Sequence, residues 1–497
     1  MIAVGLLRWY FNYQREEVQT ILSARGISIS TGEISNLSEE FLLRFYALHK
    51  RHILKIRKLF EKNGGVRLHL DGTGEAGNAI VFMAKEGKTR ITMDAQIMPT
   101  ESKKYIISFL KNLKALFGYP IVAVRDMSKQ IRDAVIEVFP NTPQQICHYH
   151  FVKNIGKLIF KKRYAEFRMS IVNLKILSKL KRIRDEDIRD IITEEDILVS
   201  AEKKWVTLAI EHILVVREKS SSYPFTLPYL EIMNRTKNIQ SMTKTILKWN
   251  NNHNLVVKEV NGLSKQLDKI IGDKDIDLEH LLIQKMWEWF EKIRKVLRIG
   301  RNLSKNGSNN KPTNAKQIKQ KINATLREIK KEGTKQGGEL LKVATQITNN
   351  CKKHSKELFV EVKDKSGSIV EIMRDNNIEE RSHRWSRMHI RRRTGRNRTT
   401  NEMTKYGALL SIFSNMENEI YVKKIFSDVK DFVREIQNIT QKEISDARKL
   451  IRPFAHKNII HSDEKRGDLL KEFIRVFDKK HVNNSAKKWL TKLKLPN

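Results

Sequence analysis

Between Val66 and His150 five short apolar runs and two amphipathic stretches follow one another in an order that limits the folds open to this chain more than any other feature. The runs "VRLHLDG", "AIVFMAK" and "TRITMDAQIM" are apolar, rich in β-branched residues and separated by turn residues, so they predict three strands, the last two joined through Glu86-Gly87-Lys88. "SKKYIISFLKNLKALFG" has apolar residues at helical spacing and ends on Gly118. "YPIVAVRD" predicts a fourth strand, "SKQIRDAVIEVF" a second helix and "PQQICHYH" a short fifth strand. The expected class is α/β, a mixed five-stranded sheet in the order β-β-β-α-β-α-β.

The first turn invites a different reading. Gly72-x-Gly74-x-x-Gly77 has the spacing of a dinucleotide-binding loop, and Asp94 stands at about the distance of a ribose-binding acid. Such a loop must open a helix, because helix amides hold the pyrophosphate. These glycines open "NAIVFMA", a strand, so a hairpin turn is expected instead.

The element order is that of the ribonuclease H-like nucleotidyl-transfer fold, in which the first and fourth strands are neighbours. Asp71 would then emerge beside Asp126 at one sheet edge. Two carboxylates so placed repel each other, and divalent cations between them would make a hard-oxygen site suited to Mg²⁺. Each Asp could alternatively cap the turn or helix that follows it.

A third acid is expected from a helix in "RDNNIEERSHRWSRMHIRRRTGRNR" (374–398), where Asn376 and Asn377 can cap a helix carrying Glu379 and Glu380. From Arg381 to Arg398 there are eight arginines and no acid. Glu380, Arg384, Arg387 and Arg391 fall on one helical face, so a carboxylate and phosphate-holding arginines would stand together. A Glu380–Arg384 surface ion pair is the plainer alternative.

The flanks add a partner. Across 497 residues, 95 Lys+Arg against 57 Asp+Glu leave a formal charge of +38, a field that attracts polyanions, of which nucleic acid is the commonest. Residues 14–46 read as a helix ending at Gly26, a short link and a second helix opened by Ser30 with Glu33 three positions on. That is the layout of a DNA-reading helix-turn-helix, whose start so near Met1 leaves room for a missing part. Beyond 151 the chain is mostly helical and basic, broken at "SSSYPFTLPYL" (220–230) and at the linker "NLSKNGSNNKPTN" (302–314). Trp287, Trp289 and Phe290 are expected to be core. No run approaches the ~18 apolar residues of a membrane span, and the first eleven residues are too short for a signal-peptide core, so a cytoplasmic protein is expected. The only two cysteines, Cys147 and Cys351, exclude a disulfide framework. Both begin a Cys-x-x-His, and Cys147/His150 with Cys351/His354 would form a Zn²⁺ site if they met. Cys351 lies in a polar helix between lysines, so no zinc is expected there.

The runs "HLDGTGEAGNAIVFMAK", "RDMSKQIRDAVIEVFP", "CHYHFVKNIGKLI" and "NNIEERSHRW" resemble the DDE transposases of insertion sequences related to the Mutator-like elements. The resemblance covers about 66–160 and 374–415. It implies a ribonuclease H-like core interrupted by a helical insertion, and a triad on Asp71, Asp126 and Glu380, with Glu379 the alternative third acid. Cys147 and His150 would be supporting residues near the catalytic edge. It also implies two Mg²⁺ or Mn²⁺ ions on the triad and DNA held by Arg381, Arg384, Arg387, Arg391, Arg392, Arg393 and Arg396. The expected plan is a helix-turn-helix unit over 1–60, core over 61–160, helical insertion over 161–370, the rest of the core over 371–420 and a helical tail over 421–497. The partners would be the element's terminal inverted repeats and target DNA, bound by a dimer or larger assembly near the nucleoid of a prokaryotic cell. The rivals are a domesticated DNA-binding protein without catalysis and a ribonuclease H-fold nuclease.

Overall fold

Strand β1 (Arg67–Thr73) turns back into β2 (Ile80–Glu86) and β2 into β3 (Thr92–Met98), each pair antiparallel, because turn residues interrupt runs of apolar, β-branched side chains. The computed structural model describes residues 1–74, 77–191, 196–216, 223–250, 257–299, 315–363, 367–370, 372–374 and 377–450. Gly77 takes φ +81°, and a side chain on Gly74 would lie 2.6 Å from Ile80 Cγ2, so the hairpin needs both glycines. The dinucleotide reading therefore fails, and Asp94 accepts an ion pair from Lys50 at 2.6 Å.

Helix α5 (Lys103–Phe117) crosses over to β4 (Val122–Arg125), which pairs parallel to β1, and α6 (Lys129–Val138) leads to β5 (Gln144–Ile146). The strand order is β3-β2-β1-β4-β5. Every strand is largely buried, as a sheet covered on both faces requires. Alternation decides which side chain meets which layer: Phe82 meets Phe109 of α5 edge-on at 5.4 Å, while Met83 joins Ala95, Ile97 and Ala408 on the other face.

That other face is covered by α16 (Thr400–Phe413), buried nearly all round, which is packed in turn against α3 (Thr31–Arg51). The N-terminal helices α1 (Ile2–Trp9), α2 (Arg15–Ser23), α3 and α4 (Ile53–Lys62) thus belong to the same compact unit as the sheet, made of residues 1–145 and 362–497. The expected Ser30 cap is present, accepting from Glu33 N at 3.1 Å, and Gly26 turns the chain at φ +76°. Phe41, Leu42, Phe45 and Leu48 bury one face of α3 in the main core. Helices α17 (Glu419–Ile425), α18 (Val429–Gln437) and α19 (Gln441–Arg448) close the unit, α19 lying on α3. The edge of β3 is covered by Asn415, whose amide pairs with both backbone groups of Thr92 at 2.8 and 3.0 Å. Most of the expected tail, 451–497, lies outside the described residues.

His49 of α3 is fully buried and bridges Met93 O and the Tyr421 hydroxyl, both at 3.1 Å. Burial pushes its imidazole down to about 4. The unfolded chain therefore takes up this proton first as pH falls, so stability should be flat above about 6.5 and decline from there to about 4. Roughly 3 kcal/mol is at stake for this one group. Denaturant titrations across that window should show the loss, and a midpoint independent of pH would contradict it.

The second unit, residues 146–361, is helical: α7 (His148–Asn173), α8 (Ile176–Ile191), α9 (Ile197–Leu214), α10 (Pro228–Asn250), α11 (Lys258–Ile271), α12 (Lys274–Val296), α13 (Ala315–Gln336) and α14 (Gly338–Leu358). Trp289 and Phe290 are fully buried, and Trp289 Nε1 donates to Glu332 at 2.8 Å. Lys285, the Trp289 N–H and Lys292 together hold the Glu332 carboxyl down to about 2. The linker 302–314 lies outside the described residues. No helix among the described residues is long and apolar enough to cross a membrane.

Candidate active site

Parallel pairing of β1 with β4 sends both strands out at the same edge. The register runs Arg67 with Val122, Leu68 with Ala123 and His69 with Val124, and continuing it two steps, one residue past the end of β4, would set Asp126 opposite Asp71. Adjacent strands lie about 4.8 Å apart, so the two acids stand on neighbouring backbones. Asp71 is 8% exposed. Asp126 Oδ1 accepts from Ser128 N at 2.7 Å, so it also forms the turn that starts α6.

Near Gly72 and Asp126 lies a carboxylate that sequence reasoning missed. Glu101, in the link from β3 to α5, brings Oε2 to 3.1 Å from where a Cβ on Gly72 would sit, and the Ser128 hydroxyl hydrogen-bonds its side chain. Burial raises the Glu101 carboxyl above its usual range, the Asp126 charge adds to the rise, and the Ser128 bond offsets part of it. These are hard oxygen donors whose mutual repulsion a divalent cation would relieve, so the edge fits such an ion in chemistry. Among the described residues, however, no three His, Cys, Asp or Glu side chains are gathered closely enough to hold one.

The expected third acid belongs to α15 (Asn377–Thr394). Glu379 and Glu380 lie in its first turn, but their side chains fall outside the described residues. The following turns reach β1. His383 is 3% exposed and sets Nε2 3.7 Å from Asp71 Oδ2, longer than a hydrogen bond, and neither ring nitrogen has a hydrogen-bond partner among the described residues. Burial pushes the imidazole down to about 3, aided by the Arg387 and Lys85 cations, so His383 is neutral and its approach to Asp71 is not an ion pair. Arg387 Nη2 donates to Thr73 Oγ1 at 2.5 Å, pinning α15 two residues past Asp71. Sequence spacing put Arg387 on the acid-bearing face but carried no signal for His383.

The rest of the arginine row divides. Arg381, Arg384, Arg391, Arg392 and Arg396 are exposed, Arg391 also donating to Asn397 O at 3.2 Å. Arg393, expected among the DNA contacts, is instead 7% exposed: it ion-pairs with Glu402 at 2.8 Å and lies 3.8 Å from the Trp9 ring centroid. Its charge is spent inside the fold, on partners hundreds of positions away or beyond a turn.

Cys147 and His150, expected as supporting residues, stand at the start of α7. The strand read in "PQQICHYH" stops at Ile146, and Cys147 caps α7, so both residues belong to the helical unit that starts at Ile146 and not to the sheet-bearing unit. In that unit Cys147 is fully buried, His148 Nε2 meets Leu358 O at 2.9 Å, and the His354 ring packs edge-on against Phe151. Burial pushes the Cys351 thiol up to about 12, where thiolate ligation is disfavoured.

One curated protein, the PKS-NRPS hybrid synthetase cheA of Chaetomium globosum, is 34% identical over 73 residues, which make up 14% of this chain and 2% of that protein's length. Residues 14–186, from α2 to α8 and including Asp71, Glu101 and Asp126, match the family described as transposase, Mutator family. Over that segment, about a third of its length, the chain is similar to the Mutator-family transposases.

Proposed function

We propose that this chain is a DDE transposase of an insertion sequence, built on a ribonuclease H-like core, which cleaves DNA at the element's ends and joins the freed 3′-hydroxyl to target DNA. The observation that carries the reading is the parallel register of β1 with β4, which, continued two residues beyond its last pair, would set Asp126 opposite Asp71. The family match over 14–186 supports it. The catalytic acids would be Asp71, Asp126 and Glu380, with Glu379 as the alternative. Helical spacing puts Glu380 one turn before His383 and two before Arg387, the residues of α15 that meet β1 beside Asp71.

The three carboxylates would hold two Mg²⁺ or Mn²⁺ ions. When bound, such ions supply acidity to the attacking water or 3′-hydroxyl and neutralise the leaving oxygen. The chain's own residues do the rest. Arg384, Arg391 and Arg392 on α15 and Arg396 just beyond its end, all exposed, clamp phosphates. The helix-turn-helix of α2 and α3 would read the element ends with the exposed Arg15 and Arg25. Synapsis of two ends calls for a dimer or larger assembly.

The test is a supercoiled plasmid carrying the inverted repeats that flank the coding region. With Mg²⁺ the full chain should cut at the repeat ends and give joined products. Cutting indifferent to the repeats would favour a nuclease, and binding without cutting a domesticated regulator.

A further inference from the structure

We infer that a cavity beside α15 is a pocket for one unstacked nucleotide of a DNA strand. The cavity measures about 530 Å³, within the roughly 300–1,000 Å³ usual for small-ligand sites and too small for a duplex. It opens between the β2–β3 turn and the segment after α16, and Lys85, Lys88, Arg90, Arg381 and Trp385 line it. Arg381 and Trp385, four positions apart on α15, face this cavity, whereas His383 and Arg387 turn to β1.

Three features define the ligand. Lys88, Arg90 and Arg381 have no carboxylate partner among the described residues; of the two acids of the lining, Glu419 pairs with Lys423 at 3.0 Å, while Glu417 stands 3.8 Å from a His389 ring that burial keeps toward its neutral form, so the lining's cations, Lys85 included, outnumber its acids four to two. That leaves an anion site for phosphate. The Trp385 indole is held at 3.8 Å centroid distance from the His389 ring and 6.4 Å from Phe413, a rigid platform for a base. The remaining polar groups are committed to the fold: Thr89 to Glu86, Asn418 to Thr89 O and the start of α17, Ser414 to Ser411 O. With the cations assigned to phosphate and these neutral polar groups committed, the pocket should take any base by stacking.

Arg90 sits at φ +61°, a left-handed conformation in which glycine is the unstrained choice. The cation is kept there at a cost to the turn. This inference rests on the reading of the chain as a DNA-acting protein, but not on its cleavage chemistry.

The test compares a short duplex containing one unpaired 2-aminopurine with its fully paired counterpart, both bound to the full chain. The native protein should bind the unpaired form about tenfold tighter and quench its fluorescence. Trp385→Ala should remove that preference while leaving affinity for the paired duplex unchanged. Arg90→Gly should weaken it severalfold with a melting temperature equal to or above the native one. A native protein without preference, or a preference surviving both substitutions, overturns the inference. Loss of quenching on adding millimolar dAMP would show a free nucleotide as the occupant and overturn the strand reading. Asp126→Asn should keep the preference; cleavage by that variant together with an intact preference would refute the DDE reading and leave the pocket standing.

Discussion

Asp126→Asn should lower Mg²⁺-dependent cleavage of element-end DNA by about a thousandfold or more, equivalent to roughly 4 kcal/mol of transition-state stabilisation. The substitution removes one negative charge and keeps shape. Asparagine can still accept from Ser128 N through Oδ1, so the turn into α6 survives. DNA affinity should stay within about twofold, because phosphate contacts are made by lysines and arginines and not by the acids. If Asp126 were only the cap of α6, cleavage would be undiminished, and that result would end the triad assignment.

Phe413→Ala should cost about 3–5 kcal/mol, a large share of the stability of a folded domain. Phe413 is fully buried where three chain segments meet: it packs edge-on against Phe41 at 5.9 Å and Phe45 at 5.1 Å of α3, and against Trp385 of α15 at 6.4 Å. Truncation leaves a cavity that helices pinned to the sheet cannot close. The melting temperature should fall by roughly 10 °C, seen by circular dichroism, with Phe413→Leu intermediate. A loss below about 1 kcal/mol would mean that the N-terminal helices are held some other way than through this core.

Much of the sheet was legible because local signals govern it. β-branched runs, the glycine turn at 72–77 and the cap at Ser30 depend only on near neighbours in sequence, and each is where the pattern put it. The parallel pairing of β1 with β4 followed from element order, since one crossover between parallel strands places their ends at the same edge. What escaped depends on distant partners. Glu101 reads as an ordinary acid before a helix until the strands bring it beside Asp126. Arg393 reads as one more arginine in a basic row, and only the fold shows Trp9 and Glu402 around it. Residues 1–60 carry helix signals that say nothing of α16, against which α3 is buried. The fifth strand was overextended because "CHYH" carries no helix breaker or cap of the usual kind, and Cys147 starts α7 without a side-chain cap bond.

The convergence of Asp71 and Asp126 with a helix-borne glutamate on divalent metal is the central claim, and Mn²⁺-soaked crystals of the full chain test it through anomalous scattering. Density between the Asp71 and Asp126 carboxylates, with Glu380 or its neighbour Glu379 as a further ligand, is the result this account predicts. Mn²⁺ bound elsewhere, or both aspartates free of metal with the α15 glutamates turned away from β1, would contradict it.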